Sequence, residues 1–169
     1  MPGGMMWGRW LAVFGITGAA AGILWWLAAP TGAFYGDGKD YIEWFPRDAV
    51  LALLLTLAGV GAGLLALWTR RRRRRNGDGT VVPEGVLVLV LAVGGLAGSV
   101  LAWRMGVFAG DLFGSPPSPM ENPSMVFSLR SGPVLVLWPL ASVLVLFLRS
   151  LYSYAFLPAA LDHEVGSSR

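Results

Sequence analysis

Charge is scarce in this chain: ten carboxylates and thirteen basic side chains among 169 residues carry whatever ionic chemistry it has. Four of the carboxylates, Asp37, Asp40, Glu43 and Asp48, fall within APTGAFYGDGKDYIEWFPRD (29–48), interleaved with Phe34, Tyr35, Tyr41, Trp44 and Phe45. Paired carboxylates can do acid–base work when burial or a neighbouring like charge raises one pKa. Nothing around these acids marks such a shift, and no nucleophile accompanies them. They read as solvated loop carboxylates, some pairing with Arg47, Arg104 or Arg130. GDGKDYIE also fails as a calcium loop, because the alternate positions that must supply oxygen after Asp37 are Lys39 and Tyr41.

The second charged stretch, WRMGVFAGDLFGSPPSPMENPSMVFSLRSGP (103–133), carries Arg104, Asp111, Glu121 and Arg130. Arg104 directly follows Trp103, a position where a fixed cation grips an anionic headgroup or a partner carboxylate. Its expected mate is Asp111 or an acid of the first stretch. The chain has no cysteine and one histidine, His163, which excludes thiolate chemistry and multi-histidine metal centres. It has no Walker loop, GxSxG, HExxH or dinucleotide fingerprint. No cofactor, metal or catalytic residue is therefore expected.

The strongest charge feature is LLALWTRRRRRRNGDGTVV (64–82), where Arg70, Arg71, Arg72, Arg73, Arg74 and Arg75 stand between two apolar runs. An arginine run can bind nucleic-acid phosphates. This one abuts Trp68 and is followed within a few residues by another apolar run, so it reads as a topology signal and a contact for anionic lipid headgroups, with no nucleic-acid partner.

The elements that hold these residues follow from composition. Hydrophobic residues make up 55% of the chain, charged residues 14%, and the mean hydropathy is +0.61. A soluble domain carries about a quarter charged residues. A bilayer crossing needs about 20 apolar residues. Four segments qualify, at about 10–29, 48–68, 82–104 and 133–151. The expected fold is an all-α integral membrane protein, one four-helix antiparallel bundle over residues 1–169. Outer loops are expected at 30–47 and 105–132, a basic loop at 69–81 and a tail at 152–169. With the N-terminus inside, nine of the thirteen basic residues fall on the cytoplasmic side, six of them in one short loop, which predicts that both termini are cytoplasmic. Arg9 ahead of an apolar run also has the look of a signal peptide, but the run is long for one and PTGAF is a poor cleavage site.

Membrane helices associate by close approach at small residues. Gly18 and Gly22, Gly59 and Gly63, and Gly94 and Gly98 form three GxxxG pairs, one on each of the first three crossings, and are the expected packing residues. The fourth crossing has no such pair and carries Pro139 inside, where a kink is expected. Arg149 near its end reads as an arginine snorkelling to the headgroups.

GILWWLAAP (22–30), GDG (36–38), AVGGLAGSVLAWRMGVFAG (92–110) and SLRSGPVLVLWPLASVLV (128–145), in this order, resemble an actinobacterial family of four-helix integral membrane proteins catalogued as a domain of unknown function. The resemblance runs roughly from Gly22 to Tyr152. It implies a bacterial plasma-membrane location and the four-crossing topology, and brings no catalytic residue. The function expected is that of a non-enzymatic, multi-pass envelope protein that packs as a homo-oligomer or as an accessory subunit of a membrane complex. The alternative is a small transporter or lipid-handling protein. An enzyme using Asp37, Asp40, Glu43, Asp111 and Arg104 is the weakest expectation.

Overall fold

A computed structural model describes residues 3–28, 41–77, 83–113, 129 and 131–156. Four helices account for nearly all of them: α1 (Gly3–Ala28), α2 (Tyr41–Arg75), α3 (Glu84–Phe113) and α4 (Leu137–Phe156). A short 3-10 turn, Gly132–Val136, leads into α4. All four are long and apolar enough to cross a membrane, over Trp10–Ala28, Phe45–Arg75, Glu84–Gly110 and Gly132–Phe156. The chain is an all-helical, multi-pass membrane protein.

The helices are longer than expected, for local reasons. α2 starts before Pro46 rather than after it; a proline in the second turn removes only one helical bond, the one to the carbonyl of residue 42. At its other end α2 does not stop at Trp68. All six arginines are helical, so residues 69–75 of the expected basic loop belong to α2. Cations suit the negative end of a helix dipole, which offsets part of their mutual repulsion. Asn76 and Gly77 supply the stop: the Asn76 N–H donates to the Arg72 and Arg73 carbonyls at 3.1 and 3.2 Å, and Gly77 turns left-handed at φ 71°. At 35 residues α2 is about 50 Å long, against a hydrocarbon core of about 30 Å.

α3 likewise runs past Arg104 into the expected outer loop, because its added turns pack on α1. Trp25 fits against Gly106, Ala109 is buried, and Phe113 lies 5.4 Å from Trp26 between ring centroids. α4 corrects the expected kink. Its first α-helical residue is Leu137, so Pro139 stands in the first turn, where its missing N–H costs no helical bond.

Packing does not follow chain order. Phe14 meets Gly94, Gly18 meets Gly98, Gly22 meets Ala102 and Trp25 meets Gly106. That register advances in the same direction on both helices, so α1 and α3 pack in parallel. Gly59 against Trp138 and Ala141, and Gly63 against Ser142 and Val145, show the same for α2 and α4. Antiparallel neighbours in sequence touch less; α3 and α4 meet across the middle, where the Phe14 and Trp138 rings lie 5.8 Å apart. All six expected packing glycines are buried. Every one of them faces another helix of the same chain.

Three hydroxyls deep in the spans close on their own helices. Thr56 donates to the Ala52 carbonyl at 2.7 Å, Ser99 to Gly95 at 2.9 Å and Ser142 to Pro139 at 3.0 Å. Outward positions carry leucine, isoleucine, valine and phenylalanine, among them Ile16, Leu53, Leu89 and Phe147, as lipid contact requires.

A Cβ on Gly18 would lie 2.5 Å from the Gly98 carbonyl oxygen, whereas one on Gly15 meets open space. Gly18→Ile should lower unfolding free energy in detergent by about 1–3 kcal/mol or more, by overpacking against backbone that cannot yield. Gly15→Ile should leave it unchanged. Denaturation followed by circular dichroism checks both.

Candidate functional site: a basic groove at the arginine end

The helical form of residues 70–75 distributes the arginines around α2. At 100° per residue, Arg70, Arg71 and Arg74 share one face, Arg71, Arg72 and Arg75 the next, and Arg73 stands apart. The first face looks toward the end of α4, where Arg149 stands. Together Arg70, Arg71, Arg74 and Arg149 line a groove of about 610 Å³. Leu67, Tyr152, Ser150 and Ser153 line it as well. Its one carboxylate, Glu84 at the start of α3, pairs with Arg70 at 3.4 Å. Four guanidinium groups against one carboxylate leave a strongly positive groove.

A second groove of about 650 Å³ adjoins it, lined by Trp68, Arg71, Arg72, Arg75 and Asn76. The Arg72 guanidinium lies 5.3 Å from the centre of the Trp68 ring, which presents its cation above an exposed aromatic. Arg71 belongs to both grooves. Arg73 lines neither.

Guanidinium groups bind phosphate through two parallel N–H donors and keep their charge at any physiological pH. Hydroxyls add further donors, while Leu67 and Trp68 give each groove an apolar side. The arrangement can hold phosphate-bearing headgroups. Among the described residues no three histidine, aspartate or glutamate side chains gather as for a metal.

The other expected contact pairs Arg104 with Asp111 or an acid of the first stretch. Arg104 and Asp111 lie seven residues apart on α3, two turns or about 10 Å along the axis. Arg104 is exposed, its guanidinium 4.9 Å from the Trp103 ring centre. The Asp111 and Glu43 side chains, and Asp37, Asp40, Glu121, Arg130 and His163, lie outside the described residues.

The end of the bundle opposite the arginines contains what sequence reasoning missed. Arg47, expected at the end of a loop, and Asp48, expected at the start of the crossing, both belong to the second turn of α2. Arg47 is only 4% exposed, and its carbonyl accepts the Trp25 indole N–H at 2.9 Å, tying α1 to α2. Asp48 accepts the Ser131 backbone N–H at 3.0 Å and so anchors the 3-10 turn that starts the fourth crossing. The only available signal was the position of both residues directly before an apolar run.

No family model, curated protein or solved structure matches the chain.

Asp48→Ala should release the Ser131 amide, raising its hydrogen-exchange rate and costing about 1–3 kcal/mol for a bond to a charged acceptor. Asp48→Asn keeps a carbonyl acceptor and should restore part of the protection. Exchange measured by mass spectrometry over 129–136 checks this.

Proposed function

We propose that this chain is a non-enzymatic, multi-pass protein of the bacterial plasma membrane whose arginine end lies in the cytoplasm and binds anionic lipid headgroups. The observation that carries the reading is the convergence of Arg149 from α4 with Arg70, Arg71 and Arg74 from α2 around one groove. The excess of basic residues on that side supports the orientation, and anionic lipids of the inner leaflet supply the complementary charge. The resemblance of residues 92–110 and 128–145 to the actinobacterial four-helix family supports the same location.

Lipid binding is the form of lipid handling that this geometry favours over transport. A polar route through the bundle would draw on ionisable or hydroxyl groups at depth. Here Thr56, Ser99 and Ser142 have their hydroxyls turned back onto their own helices, and the core is filled by the buried Trp25 and Trp138 rings.

A second reading, an accessory subunit of a membrane complex or a homo-oligomer, draws on a different set of small residues from those expected. The GxxxG pairs are used within the chain. Gly8, Ala12, Gly15 and Ala19, at spacings of four, three and four, form a flank of α1 on which Gly8 and Gly15 meet nothing within 4 Å. A helix of a partner would pack there.

Purified in neutral detergent, the chain should retain phosphatidylglycerol in preference to phosphatidylcholine in native mass spectra. Joint Arg70→Gln, Arg71→Gln, Arg74→Gln and Arg149→Gln substitution should abolish that preference; equal retention of both lipids by the unaltered chain would sink the reading. For the second reading, Gly15→Leu should eliminate crosslinked species from native membranes while the protein stays folded.

A further inference from the structure

The two grooves at the end of α2 are adjacent, and both use Arg71. We propose that they form one bipartite site for a single dianionic diphosphatidyl lipid, in which two phosphates are joined through one glycerol. The inference rests on the headgroup-binding reading above and specifies its ligand.

Each groove is equipped for one phosphate. The first offers Arg70, Arg74 and Arg149 besides the shared residue, and the second offers Arg72 and Arg75. Glu84 reduces the charge of the first by pairing with Arg70, which leaves the two sides closely matched, each with the equivalent of about two cations besides Arg71. The sides also match in their apolar parts. Leu67 belongs to the first groove and Trp68 to the second, both about one turn nearer the membrane than the arginines they accompany. Acyl chains descending on both sides of α2 would therefore meet an apolar side chain under each phosphate.

A lipid with one phosphate fills one half and leaves the other half's cations facing water. Two such lipids bind as separate events and bring their negative charges together around Arg71. A lipid whose phosphates share a glycerol meets the second half at high effective concentration once the first is engaged, without a second loss of translational freedom. Two phosphates held close need a cation between them. Arg71 stands at that position. The remaining helix arginine, Arg73, lines neither groove and provides a control of equal charge.

The test uses the full chain in neutral detergent, titrated with tetraoleoyl cardiolipin or dioleoyl phosphatidylglycerol and read by native mass spectrometry. One cardiolipin should bind per chain, with at least tenfold higher affinity, per phosphate, than phosphatidylglycerol. Arg71→Gln should remove that advantage, leaving cardiolipin bound no better than phosphatidylglycerol, while Arg73→Gln retains it. Equal affinity of the two lipids per phosphate, or equal effects of the two substitutions, would overturn the bipartite site and leave simple headgroup binding in place. Failure of both lipids to bind in preference to phosphatidylcholine would overturn the bipartite site together with the function it rests on.

Discussion

The bundle depends on how closely two helix backbones approach where no water drives them together. Apolar side chains gain nothing by leaving lipid for protein unless the contact is denser than lipid can offer. Glycine provides that density in two ways here. Gly18 and Gly22 bring the α1 backbone against the carbonyls of Gly98 and Ala102, and Gly59 brings α2 against Trp138. Elsewhere a glycine makes a notch for a ring: Phe14 enters at Gly94, Trp138 at Gly95 and Gly98, and Trp25 at Gly106. The rings are the large buried side chains of the core, with Trp25 and Trp138 at no more than 1% exposure. Close backbone approach and ring-filled notches are one device, because each ring spans the gap that remains where a third helix comes in.

This device explains why the closest partners are parallel. α1 and α3 both carry small residues along the side where they meet, so their register can run for four successive contacts without a break. α2 and α3 are joined by the short 76–83 segment, yet they hardly touch over most of their length. Connection length brings two ends together; interior packing decides which faces stay together. The bonds at the end opposite the arginines fix the result. Trp25 donates to α2 across 22 residues and Asp48 holds Ser131 across 83, so α1, α2 and the entry to α4 are joined at one level.

The number of crossings and their approximate positions were legible because hydropathy over a 20-residue window reports a single requirement, the thickness of hydrocarbon. The six glycines were legible as packing residues for a similar reason, since only a missing side chain permits such contact. Their partners were not, because a GxxxG pair has the same spacing whether it faces the same chain or another. Gly106 gave no signal at all: its role exists only because Trp25 arrives from α1. Helix ends were misjudged wherever polarity was taken for a stop. Arg70–Arg75 are polar and good helix formers, and the stop belongs to Asn76 and Gly77.

That last error bears directly on the site. A flexible loop of six arginines would meet phosphates in any arrangement, and ordering it on binding would cost conformational entropy for each long side chain. As the last turns of α2 the same residues are fixed at 100° intervals on a backbone held by the bundle, and Arg149 faces them from α4 because Gly59 and Gly63 set the α2–α4 register. The division of charge between two grooves, with Arg71 common to both, is therefore a consequence of helical phase. A single residue inserted between Trp68 and Arg70 would turn every guanidinium by about 100° and move Arg71 to the place now held by Arg72. The glycine contacts deep in the membrane thus determine, through one continuous helix, which cations stand side by side at its end.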